Sequence, residues 1–78
     1  MSLDQTVKNI ISNVFGVEVG SINEGTNADN THGWDSLGHL RLVLAIEREL
    51  GITIEPKHFI KMLNYEGIID VVKLYTED

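Results

Sequence analysis

Seventy-eight residues, 42% of them hydrophobic and 23% charged, predict a single small domain over 1–78 with a modest core. The absence of cysteine excludes a disulfide framework, a thiolate zinc site and a cysteine nucleophile. Twelve acidic against six basic residues, a net charge of −6, argue against nucleic acid or an anionic membrane surface as a partner. The longest uninterrupted apolar run, Leu42 to Ile46, falls far short of the ~20 residues that span a bilayer. No basic segment followed by an apolar block opens the chain, so a cytoplasmic location is expected. A monomer is expected as well.

Helical periodicity divides the chain. Leu3, Val7, Ile10, Ile11 and Val14 recur on one face of a first helix, with Ser2 and Gln5 spaced as a capping box and Gly16 as its stop. From Gly16 to Trp34 glycines alternate with asparagines and threonines. Val17-Glu18-Val19 alternates like a strand but has no partner, so the segment reads as a long loop pinned by Val17, Val19 and Ile22. A second helix runs from Ser36 to Leu50, with Asp35 as N-cap and Gly51 as stop. Ile52 and Ile54 anchor a short connection. Pro56 suits the first position of a brief third helix carrying Phe59, Ile60 and Leu63. Asn64 caps a fourth, in which Tyr65, Ile68, Ile69, Val72 and Tyr75 recur at helical spacing. The expected fold is all-α: a small four-helix bundle with a long first connection and a short third helix.

The chemistry-bearing stretch is Asp35-Ser36-Leu37. It lies where the long loop enters the second helix, and unpaired N–H groups and the helix dipole in that first turn favour a phosphate on Ser36. Read alone, the tripeptide is more simply ordinary helix capping. Asp35, Ser36 and His39 do not make a catalytic triad, which needs a scaffolded cleft and an oxyanion hole. His32, His39 and His58 lack metal-ligand spacing. Asn27-x-Asp29-x-Thr31 begins like a calcium loop, yet the sixth position is His32 and the twelfth Gly38, where glycine and glutamate are needed. Trp34 reads as an apolar plug tying the loop to the bundle.

Gly33-Trp34-Asp35-Ser36-Leu37-Gly38-His39-Leu40, with Leu42 to Ile46, Glu47, Glu49, Leu50 and Gly51-Ile52 behind it, resembles the acyl carrier protein family. The resemblance covers essentially the whole chain. It implies a non-catalytic carrier in which Ser36 bears a covalent 4′-phosphopantetheine arm from coenzyme A, while Asp35 and Leu37 present it to a phosphopantetheinyl transferase. It also implies acyl- or aminoacyl-loading enzymes and downstream biosynthetic enzymes as partners. His32-Gly33-Trp34 stands where fatty-acid carriers have Leu-Gly-x, and the Gly-Gly-His-Ser motif of peptidyl carriers is absent. The form looks more like free-standing carriers of specialised acyl or aminoacyl pathways. The resemblance implies an acyl carrier of fatty-acid, polyketide-like or other specialised biosynthesis, with an aminoacyl or peptidyl carrier of a non-ribosomal-type pathway as the alternative. An unmodified helical interaction module is the alternative of a different class.

At about 100° per residue, Leu40, Leu42, Val43, Ile46 and Leu50 share the core-side arc of the second helix, and His39 falls inside it. Leu37, Arg41, Leu44 and Arg48 form a separate stripe, and the resemblance, in a family that uses this helix for partners, implies that it is a partner-docking face. The resemblance implies that a long acyl chain would be buried between the helices beside the first turns of the second. A polar ring at His39 there is costly unless it is hydrogen-bonded, so short, polar or aminoacyl cargo is expected.

Overall fold

The computed structural model describes residues 2–76, which form three α-helices and one longer 3-10 helix in an all-helical bundle. Helix α1 (Leu3–Phe15) starts where the Ser2 hydroxyl accepts from the Gln5 N–H and ends at Gly16, whose left-handed conformation (φ 69°) suits glycine. The reciprocal half of the predicted capping box is not made: the Gln5 amide donates instead to Asn9 Oδ1 at 3.0 Å. Helix α2 (Ser36–Leu50) ends at Gly51, and the Ile52 N–H closes back on the Glu47 carbonyl. Glu47 then reaches past its own helix end to accept from the Ile54 N–H at 2.7 Å, fixing the connection. Helix α3 (Tyr65–Thr76) starts as predicted, with Asn64 Oδ1 accepting from the Gly67 N–H at 2.6 Å.

The expected third helix is a 3-10 helix, Pro56–Met62. Its two ends are anchored to other elements, Ile54 to Glu47 and the Leu63 carbonyl to the Ala28 N–H. Seven residues wound as 3-10 span about 14 Å, against about 10.5 Å as an α-helix, so the tighter winding lets the segment reach between fixed points. Of its predicted apolar residues Phe59 packs on the core, whereas Ile60 and Leu63 are exposed and Met62 takes the interior position.

The core joins Val7 and Ile11 of α1, Leu42, Val43 and Ile46 of α2, Met62, and Ile68, Val71 and Val72 of α3. Leu40 departs from its predicted place on the core arc. It is 46% exposed, because the buried arc of α2 centres on Leu42 and Ile46 and leaves Leu40 at its edge.

The loop between α1 and α2 is ordered by its own polar side chains. As expected of a loop it holds no long element, only short 3-10 turns at Val19–Ser21, at the end of the Val17-Glu18-Val19 alternation, and at Ala28–Asn30. Asn27 Oδ1 accepts from the Asp29 and Asn30 N–H groups, and Asn30 Oδ1 accepts in return from the Asn27 N–H. Ile22 and Trp34 sink into the core, while Val17 packs against it and Val19 is only half-buried. Two backbone bonds, Ala28 N–H to the Leu63 carbonyl and Tyr65 N–H to the Thr26 carbonyl, stitch the loop to the start of α3.

Tyr65 closes the bundle against α1, its hydroxyl directed at the Asp4 carbonyl and its ring beneath Lys8 Nζ. Burial, reinforced by the Asp4 carboxylate, pushes the phenol up to about 12. The folded chain therefore keeps this proton where the unfolded chain loses it. The resulting stability is complete below pH 10 and is lost as the pH rises through about 12. Denaturant midpoints of wild type are expected to fall more steeply over that window than those of Tyr65→Phe; parallel slopes would show that the phenol carries none of the effect.

Candidate functional site

The loop enters α2 through a compact set of contacts around the predicted motif. Asp35 has extended backbone, and its Oδ1 accepts from the Gly38 N–H at 2.8 Å, so it is the N-cap that the sequence predicts. Ser36 and Leu37 are the first two helical residues and are exposed, Leu37 by 67%. Their N–H groups have no partner within the helix, which with the dipole favours an anion at this end.

Trp34 precedes the cap and packs back over the helix it introduces. Its ring stacks on Phe15 of α1 (centroids 5.2 Å apart) and on His39 of α2 (6.2 Å). Residues just before the cap and at the fourth helical position commonly form an apolar staple; here the pair is Trp–His, with a hydrogen bond added. Trp34 Nε1–H donates to His39 Nδ1 at 3.0 Å. Indole can only donate, so Nδ1 must accept and the neutral ring carries its proton on Nε2. That nitrogen donates to the Phe59 carbonyl at 2.8 Å. His39 thus bridges the loop, α2 and the 3-10 helix with both nitrogens engaged. It lies on the core-side arc, as the periodicity indicates, half-buried and hydrogen-bonded.

Two glycines permit this packing, and neither has a role that local sequence alone reveals. Gly33 has φ +90°, a region that side chains rarely adopt. A Cβ on Gly38 would overlap the Gly33 carbonyl oxygen, so the loop backbone lies directly on the first turn of α2. The signal available in the sequence was a glycine on either side of the cap; its meaning depended on the loop folding back.

The remaining predicted residues occupy the outer face of α2. Leu37, Arg41, Leu44 and Arg48 are all exposed there, Leu44 by 55%. Arg41, Leu44 and Arg48 also wall a groove between α1 and α2. His32 is exposed and His58 packs edge-on against Tyr75. Among the described residues no cluster of three His, Cys, Asp or Glu could hold a metal ion, and no helix is long and apolar enough to cross a membrane.

A family model described as "Phosphopantetheine attachment site" matches residues 5–72, most of the chain. The chain belongs to the acyl carrier protein family. Two proteins named acyl carrier protein, from two strains of Nitratidesulfovibrio vulgaris, are each 32% identical over 72 residues, covering 92% of this chain and 95% of theirs. A protein named Polyketide-8 synthase acyl carrier protein 1, from Streptomyces avermitilis, is 28% identical over 68 residues, covering 87% of this chain and 81% of its own. The cofactor of this acyl carrier protein is covalently attached 4′-phosphopantetheine, and the protein is a carrier rather than a catalyst. Its partners are a phosphopantetheinyl transferase and biosynthetic enzymes.

Proposed function

We propose that Ser36 is the attachment residue and that the chain, as one carrier unit over 1–78, delivers a thioester-bound acyl group to a dedicated set of biosynthetic enzymes. One observation carries this reading. The Ser36 side chain stands exposed at the first position of α2 while the neighbouring Asp35 carboxylate is turned into the cap. The residues present fit a phosphodiester there: the helix terminus favours its charge, and exposure leaves room for the transferase. The arm supplies the working thiol, which a chain without cysteine lacks. Asp35 and the clamped Trp34 hold the serine's turn rigid, and Leu37 beside it offers an apolar contact to the transferase.

Incubation with coenzyme A and a broad-specificity phosphopantetheinyl transferase is expected to add the mass of one phosphopantetheinyl group to wild type and none to Ser36→Ala. Helicity should be unchanged, since Asp35 still caps. An unmodified wild type, or modification of another serine, would favour a helical interaction module instead.

The pathway we favour is specialised acyl or aminoacyl biosynthesis, served by a cytoplasmic monomer. The name of the Streptomyces avermitilis relative fits a polyketide-like route. The mixed charge of Leu37, Arg41, Leu44 and Arg48 suits partners other than those that read an acidic helix. Cargo is short, polar or aminoacyl. His39 is hydrogen-bonded through both nitrogens, so the desolvation penalty expected of its ring does not arise. The assignment rests instead on its bridge to the Phe59 carbonyl, which spans α2 and the 3-10 helix and which an apolar chain entering between them would have to break. Loading the holo-protein with acyl groups of increasing length should leave the thermal midpoint flat; a steady rise up to long chains would sink this assignment.

A further inference from the structure

An open groove of about 720 Å³ runs between α1 and α2. Its floor is apolar, including Val14 and Ala45. The α2 wall bears Arg41 and Arg48, seven residues and so about 10.5 Å apart along the helix, with Leu44 between them. The facing α1 wall bears Asn9 and Asn13, which are uncharged; the Asn9 carbonyl is taken by Gln5, leaving its N–H donors for a ligand. Two of the six basic residues of a chain at −6 thus line one groove, against a single acid, Glu49.

We propose that this groove docks an acidic amphipathic helix of a partner protein. Two carboxylates two turns apart on that helix pair with Arg41 and Arg48, and the apolar side chains between them rest on Leu44 and Val14. The spacing selects the occupant: residues seven apart on a helix share a face and match the separation of the two guanidinium-bearing positions. A basic segment is rejected by the same two arginines. The inference rests on the reading of α2's outer face as the docking face, and it adds α1 as the second wall and fixes the sign of the partner's charge.

The test is a selection from a displayed library of helical peptides, randomised on one face, against the unmodified protein. Enriched peptides are expected to carry Asp or Glu seven residues apart around apolar positions. Their affinity for Arg41→Glu/Arg48→Glu should fall by more than about tenfold, because two attractions become repulsions. Asn13→Glu, on the exposed side of α1, should also weaken binding severalfold, and added salt should weaken it further. Ser36→Ala should bind like wild type, which keeps this outcome separate from that of the attachment experiment. Enrichment of basic peptides, no enrichment, or binding indifferent to the arginines would overturn the proposal. Indifference to Asn13→Glu alone would remove α1 from the site and overturn it equally.

Discussion

Gly38→Ala is expected to lower the thermal midpoint by roughly 8–16 °C, the equivalent of about 2 kcal/mol in a domain of this size. Alanine has the better helix propensity by about 1 kcal/mol, so on an exposed helix the change would stabilise. Here the added methyl overlaps the Gly33 carbonyl oxygen and meets Phe15 Cε1 at 3.1 Å. A backbone carbonyl cannot swing aside as a side-chain tip can. Gly33 is held at φ +90° and leads directly into Trp34, whose ring lies between Phe15 and His39. Relief therefore displaces residues 33–35, giving up packing worth about 1–3 kcal/mol and much of a cap worth about 1 kcal/mol. Gly20→Ala is the matched control, since nothing lies within 4 Å of its added Cβ. Calorimetry on the two variants decides the matter: a Gly38→Ala midpoint equal to that of Gly20→Ala would mean that the loop does not lie on the helix as described. Transfer of phosphopantetheine to Ser36 should slow in the same variant, because the displaced segment presents the serine.

His39→Leu should destabilise by about 2–4 kcal/mol, although leucine is the more hydrophobic residue. The substitution leaves the Trp34 indole N–H and the Phe59 carbonyl without the partners that His39 supplies. Each buried polar group left unpaired costs about 1–3 kcal/mol, and leucine's added apolar contact returns only part of that. His39→Gln keeps one acceptor and one donor on a flexible stem and should recover part of the loss. Trp34 is the sole tryptophan, so its fluorescence reports on this bridge alone. Emission should shift to the red in His39→Leu as water reaches the indole. A double-mutant cycle with Trp34→Phe isolates the coupling. Independent, additive losses would show that the hydrogen bond contributes nothing beyond the packing of the two rings.

Much of this architecture is dictated within single stretches of chain. Ser2, Asp35 and Asn64 cap the three α-helices, and Gly16 and Gly51 end the first two, because each motif is closed by residues no more than five apart. The periodicity of the apolar residues set the buried faces of the α-helices, Leu40 excepted, and the exposure of the Leu37–Arg48 stripe followed from the same arithmetic. In the 3-10 segment, by contrast, Ile60 and Leu63 are exposed and Met62 is buried in their stead. Other features depend on partners distant in sequence and were beyond local reasoning. The 16–35 loop takes its order from asparagine bonds and from a seam with Leu63 and Tyr65. The 3-10 winding of Pro56–Met62 follows from anchors at both of its ends. The two nitrogens of His39 find partners five residues before and twenty after it, so only the packed chain decides that this histidine is a neutral bridge and not a solvent-exposed side chain. Likewise Gly38 and Gly67 look like poor helix formers in sequence, while in the bundle each lies under a backbone carbonyl of another segment, that of Gly33 in the loop and that of Lys61 in the 3-10 helix, where any side chain would collide. Local chemistry selects the helices and their ends; contact between segments decides how closely a loop may lie on a helix and what a buried ring may bond.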